Sequence, residues 1–125
     1  MRSLLIITAL TGTFLSCKKI ITPDLNNAAP QIYIQGAVSD TAGPYYITIL
    51  KTIGFYETDT YPGVPGASIS ITDSTAGITD QLIETAATGV YRTGTIMQGT
   101  PGHTYLLKVL LDGKTYTASS TMPQP

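Results

Sequence analysis

The sequence predicts an all-β fold, an antiparallel two-sheet β-sandwich of about seven strands, and three observations predict it. Residues 103–121 read HTYLLKVLLDGKTYTASST, two alternating runs around Asp112-Gly113. Asp-Gly is a strong hairpin signal because a type I′ turn needs positive φ at both central residues. The rest of the chain is a succession of short runs rich in Ile, Val, Thr and Tyr, punctuated by Gly, Pro and Asp, the composition and spacing of strands joined by turns. Helical periodicity is missing outside the first sixteen residues. Without crossover helices, strand pairing should be antiparallel.

At 125 residues the chain holds one domain. Only 12% of residues are charged and the formal net charge is -1. There is no clustered basic face for phosphate, so nucleic acid is not an expected partner.

Residues 1–16 read as a lipoprotein signal peptide. Arg2 supplies a positive n-region, and Leu4 to Leu15 forms an apolar stretch of signal-peptide length, too short to span a bilayer core. Phe14-Leu15-Ser16-Cys17 then resembles a lipobox, with Phe where Leu is usual. Cys17 is the only cysteine, so it has no disulfide partner in the chain. Lipidation of Cys17 through a thioether would remove a free thiol and anchor the protein to a membrane, since two acyl chains already hold stably. The other readings are an ordinary secretory signal and an uncleaved hydrophobic anchor. Residues 17–30 form the lipidated Cys and a tether, bracketed by Pro23, Asn26-Asn27 and Pro30. The sandwich domain is expected over residues 31–125.

Its strands follow in order. Ile32, Ile34, Gly36 and Val38 share one face of the first, which ends in the turn residues Asp40 to Pro44. Tyr45, Ile47 and Ile49 form the inner face of the second. Ala67, Ile69 and Ile71 mark the third, which turns at Asp73 to Gly77 into a weaker fourth over residues 78–84. Gly89 to Thr93 is a short fifth. In the final hairpin the turn predicts Leu111 opposite Lys114, Val109 opposite Tyr116, Leu107 opposite Ala118 and Tyr105 opposite Ser120. The apolar face is then Tyr105, Leu107, Val109 and Leu111, backed by Tyr116 and Ala118.

The lipobox, the short linker, and the segments IYIQGAVSD, GPYYITI, PGVPGASISITDS, TGVYRTG and GTPGHTYLLKVLLDGKTYTASSTMP together resemble a Bacteroidetes outer-membrane lipoprotein family, domain-of-unknown-function family 4249. The likeness covers nearly the whole chain; its most specific parts are Gly89-Val90-Tyr91 and the Gly102 to Pro123 hairpin. The resemblance implies an N-terminal Ig-like sandwich of transthyretin-like or carboxypeptidase-regulatory-like type. It also implies an outer-membrane location and an association with a TonB-dependent receptor, near whose genes many members are encoded. Members usually run to more than double this length, continuing beyond the position of Thr121-Met122-Pro123 into a second β-rich region. Lys18 to Thr22 lacks the acidic cluster that accompanies surface export in some Bacteroidetes lipoproteins, leaving periplasmic face and cell surface both open.

Signals for chemistry are sparse. His103 is the only histidine, which excludes zinc sites built on several His or Cys ligands; beside Gly102 it reads as a strand-entry residue. Gly66-Ala67-Ser68-Ile69-Ser70 lacks the last glycine of a nucleophile elbow. Glu57 and Asp59 share one loop, so they do not make the opposed carboxylates of a glycosidase. Asp40, Asp73, Asp80 and Asp112 are expected at turns. No catalytic residue, metal site or cofactor is expected.

One stretch stands out. The loop FYETDTYPGVPG, residues 55–66, places Phe55, Tyr56, Glu57, Asp59 and Tyr61 ahead of Pro62 and Pro65. Aromatic rings on a stiffened loop offer contact area to a glycan, peptide or receptor at low entropic cost. The alternative is that Phe55 and one tyrosine fold down over an open end of the sandwich. The sequence thus points to a non-catalytic, lipid-anchored binding or assembly module. The alternatives are a structural Ig-like spacer and the accessory domain of a longer protein.

Overall fold

The computed structural model describes residues 29–54 and 60–125. The signal peptide, Cys17 and the tether up to residue 28 lie outside the described residues, as do Phe55, Tyr56, Glu57 and Asp59. The strands are β1 (Ile32–Gly36), β2 (Tyr46–Lys51), β3 (Ser68–Asp73), β4 (Ile78–Glu84), β5 (Val90–Thr93), β6 (Thr104–Leu111) and β7 (Lys114–Thr121). They pair only antiparallel, in the order β1-β2-β5-β4-β3-β6-β7.

One curled sheet makes both layers, because β4 belongs to each. Its first half, Ile78 to Gln81, pairs with β3, and its second half, Leu82 to Glu84, pairs with β5. The first layer is therefore β1, β2, β5 and the end of β4; the second is the start of β4 with β3, β6 and β7. Strands that bend from one sheet into the other are how sandwich corners are made.

At this corner the buried Asp80 carboxylate accepts from the Gly94 N–H (3.2 Å), the Thr95 N–H (3.1 Å) and the Thr95 hydroxyl (2.7 Å). The Gln81 carbonyl accepts from Gly94 N–H as well. Asp80 is thus an interior strand residue rather than a turn residue. A buried carboxylate is tolerated there because three donors replace the water it loses.

The layers close over Ile47, Ile49, Ile69, Ile71, Tyr91, Tyr105, Val109 and Leu111, all buried. All but Tyr91, on whose strand the sequence assigned no inward face, occupy inward positions of the expected alternation, and each aliphatic side chain buried this way contributes roughly 1.5–3 kcal/mol. In the final hairpin Asp112 has φ 49° and Gly113 φ 74°, the positive values that a type I′ turn demands. Leu111 faces Lys114, Val109 faces Tyr116, Leu107 faces Ala118 and Tyr105 faces Ser120, as expected. Ala118 is nevertheless exposed, because β7 is the last strand and, among the described residues, nothing covers its inner face there.

Three buried tyrosines act as pegs, with the ring in the interior and the hydroxyl on a loop. The Tyr45 hydroxyl reaches the Ser39 and Thr41 carbonyls. The Tyr91 hydroxyl donates to the Val64 carbonyl (2.9 Å) and accepts from Ala67 N–H (3.0 Å). The Tyr105 hydroxyl accepts from Thr100 N–H (2.8 Å). A phenol suits this place, since its body is apolar and its tip needs a polar partner.

Candidate functional site: an aromatic groove on the first layer

The segment from Pro62 to Ala67 is strapped to the sheet rather than standing free. Lys51 N–H donates to the Pro62 carbonyl (3.0 Å) and Val64 N–H to the Ile49 carbonyl (2.9 Å), with Gly63 bridged to Leu50. β5 covers β2 only along Tyr46 to Thr48, and the Pro62–Val64 main chain takes over its place beside the rest of β2. Glycine is required at Gly63, where a Cβ would lie 2.0 Å from the Thr88 carbonyl oxygen. Gly89 faces it, at φ 77°, and its Cβ would meet the Ile49 carbonyl oxygen and the Val64 nitrogen at 2.6 Å. Glu84 ties the two glycine segments together by accepting from Gly66 N–H (3.2 Å) and Gly89 N–H (3.3 Å). Tyr91 completes the clasp, and burial of its phenol, the largest cause, raises its pKa above the ordinary 10.0.

This clasp positions Tyr61. Tyr61 is 57% exposed and lines a groove of about 300 Å³ together with Tyr33, Leu50, Lys51 and Thr52. Tyr33 is the direct cross-strand partner of Leu50, and Leu50 is bridged on its other side to Gly63. Leu50 therefore forms a half-buried floor between two aromatic walls. Tyr33 is itself 51% exposed, its hydroxyl 3.2 Å from Gln35 Oε1. Chemically, the groove offers two ring faces, one ammonium group and the Thr52 hydroxyl. The capping alternative does not apply to Tyr61, whose ring stands in solvent.

Tyr33 and Lys51 were not singled out from the sequence. The available signal was an outward tyrosine between the inward Ile32 and Ile34, where a polar residue is the common choice on a solvent-facing strand position.

The one histidine and its carboxylate partner serve the fold. His103 Nδ1 lies 2.7 Å from Asp73 Oδ2, while Asp73 Oδ1 accepts from Thr75 and Ala76 N–H, both at 2.9 Å. The His103 hydrogen bond is the largest cause holding the Asp73 carboxyl below its ordinary 3.8; the Ala76 and Thr75 amides act the same way and desolvation opposes them. The pair closes the β3–β4 turn onto the start of β6. Among the described residues, no group of three or more His, Cys, Asp or Glu side chains could hold a metal ion.

These features define a class, a small all-β antiparallel sandwich whose two layers share one strand. Within it, the chain belongs to the family described as Domain of unknown function (DUF4249), which matches residues 18–125. The matched span includes Tyr33, Tyr61, the Gly89-Val90-Tyr91 segment and the final hairpin. No curated protein and no solved structure is significantly similar to the chain.

Proposed function

We propose that this protein is a lipid-anchored, non-catalytic binding or assembly module of the outer membrane, acting beside a TonB-dependent transporter. The observation that carries the binding role is the Tyr33–Tyr61 groove. Two half-exposed aromatic walls stand over an apolar floor, Tyr33 on strand β1 and Tyr61 on a loop stem fixed by main-chain hydrogen bonds. Preorganised rings lose little entropy on contact and stack on a sugar face or a peptide plane. Lys51 at the groove adds a donor for a glycan hydroxyl or a carbonyl. The membrane and transporter parts of the reading are supported by Cys17 after the apolar h-region and by the family resemblance. Non-catalytic action is supported by Asp73 and His103 being committed to a turn closure.

Co-purification of the lipidated full chain with its membrane partners tests this reading, followed by Tyr33→Ala combined with Tyr61→Ala. The double change should abolish capture of the transporter or of a soluble glycan panel while leaving the melting temperature within a few degrees. Unchanged capture by the double variant would refute the groove as the contact site.

A further inference from the structure

Among the described residues the curled sheet has two free edges, β1 and β7, and both border the same opening. Neighbouring strands are antiparallel throughout the seven-strand order, so the first and last strands run in the same direction. A single additional strand running opposite to both would pair antiparallel with each and close the sheet into an eight-stranded barrel, the even number that antiparallel closure needs. The space suits one strand. Packed layers lie ~10 Å apart and hydrogen-bonded strands ~4.8 Å apart, so one strand bridges the two edges.

Both edges have main-chain groups to offer. Leu111 and Lys114 flank a two-residue turn, and bonding then alternates along β7. Thr115, Thr117, Ser119 and Thr121 therefore direct their N–H and C=O groups away from β6. On β1, Thr52 N–H donates to the Gln31 carbonyl, and the same alternation turns Ile32, Ile34 and Gly36 outward. Between the last part of the two edges, Gly36 on β1 and Ala118 to Thr121 on β7, lies an apolar cleft of about 340 Å³, with Ile47, Ile71, Tyr105 and Leu107 as its floor and Val38 among its walls.

Charge decides the occupant. Among the described residues no charged side chain lines the cleft, β1 carries none, and β7 carries only Lys114 at the hairpin end. Exposed edges are ordinarily blunted by charge or proline, and neither occurs along Thr115 to Thr121. We propose that this open side accepts one extended, uncharged strand of a partner polypeptide, antiparallel to both edges, with aliphatic side chains entering the cleft at alternate positions. A second folded copy does not fit, because its edge strand is already attached to a sheet and a one-strand gap admits only a free segment. The chain's own residues 18–28 carry Lys18, Lys19, Pro23 and Asp24, a poor match to a neutral cleft. The mode is strand addition, with main-chain bonds giving affinity and the cleft giving side-chain selection.

The test uses the full chain and a short end-blocked peptide of alternating valine and threonine. The peptide should slow amide exchange at least about tenfold on both edges together, at Thr117 and Ser119 and at Ile32 and Ile34, and raise the melting temperature. Ser119→Pro removes an outward N–H without touching the β6–β7 ladder and should abolish the effect. Ala118→Arg, at an exposed position, should do the same by charging the cleft. Four results overturn the proposal: no slowing; slowing on β7 alone with a doubled mass, which is pairing between copies; edges already protected without peptide and released by deleting residues 18–28; or equal binding of a lysine–threonine peptide.

Discussion

Replacing Tyr91 by Phe removes one oxygen and leaves the buried ring in place, which isolates the clasp from hydrophobic burial. That oxygen makes two hydrogen bonds, to the Val64 carbonyl and from the Ala67 amide. In Tyr91→Phe both partners lose their bond, and a buried unsatisfied group costs ~1–3 kcal/mol. Val64 and Ala67 are only half-buried, so water re-satisfies part of the loss and the expected total is about 1–3 kcal/mol. A domain of this size shifts by ~4–8 °C per kcal/mol, so the melting temperature should fall by roughly 5–20 °C. Calorimetry measures it, and amide exchange at Ala67 should quicken in parallel. The raised phenol pKa supplies a second reading. Above pH 10.0 the unfolded tyrosine releases its proton while the folded one retains it, so the unfolded state binds fewer protons and stability falls as pH rises. That share of the alkaline destabilisation should be missing from Tyr91→Phe. A loss below about 0.5 kcal/mol, or an identical alkaline slope in the two proteins, would refute the clasp.

Val109→Ala should cost ~1–3 kcal/mol in chemical denaturation, through lost burial and the gap left behind, whereas the outward Lys108→Ala should stay within about 0.5 kcal/mol; equal effects would mean that the hairpin's faces are exchanged. Asp73, whose pKa is depressed, contributes stability that is present above the ordinary 3.8 and is lost as pH falls through the lower folded value. Asp73→Asn should therefore unfold more readily at pH 7 and show a flatter acid limb, which a melting series from pH 7 downward will register. Cys17→Ser should abolish fatty-acid labelling and release the protein from the membrane fraction; retention there with no label on the native protein would end the lipid-anchor reading.

What was legible in the sequence was local. The hairpin register followed from Asp112-Gly113, because the turn's dihedral demands fix which residues face one another. The inward sets Tyr45-Ile47-Ile49 and Ile69-Ile71 followed from the period of two. What was not legible depends on distant contacts. Nothing in ITDQLIE, the β4 sequence, marks its change of partner at Gln81–Leu82, since the change is determined by β3 and β5 arriving from opposite sides. Asp80 looked like a turn residue because its three donors come from Gly94 and Thr95, remote in sequence. Pro62 to Val64 looked like loop for a related reason. Its pairing with β2 is made by main-chain atoms, and a stretch of Pro and Gly carries no alternation to betray it.

The division of the tyrosines connects stability to the proposed recognition. Tyr45, Tyr91 and Tyr105 spend their hydroxyls on loop backbone and their rings on the interior. Tyr33, Tyr46 and Tyr61 do neither of these things, each being more than half exposed. The two outer faces also differ. The second layer presents chiefly Ser70, Thr72, Thr79, Thr117 and Ser119, with Leu106, Leu110 and Lys108 among them, while the first presents Tyr33, Tyr46, Leu50 and Ile83 beside Gln35, Thr48, Val90 and Arg92. A solvated strand face needs only β propensity, which threonine supplies without exposing a ring, so the fold itself does not explain aromatics on one face. An apolar patch rimmed by polar groups has its usual cause in contact with something else. The clasp then acquires a use beyond stability, since Tyr91, Glu84 and the paired Gly63 and Gly89 hold the stem from which Tyr61 projects. Tyr91→Phe should accordingly weaken capture as well as folding, whereas Tyr61→Ala should weaken capture alone. If Tyr91→Phe lowers the melting temperature and leaves capture intact under folded conditions, the stem does not orient the ring, and the groove's two walls act independently.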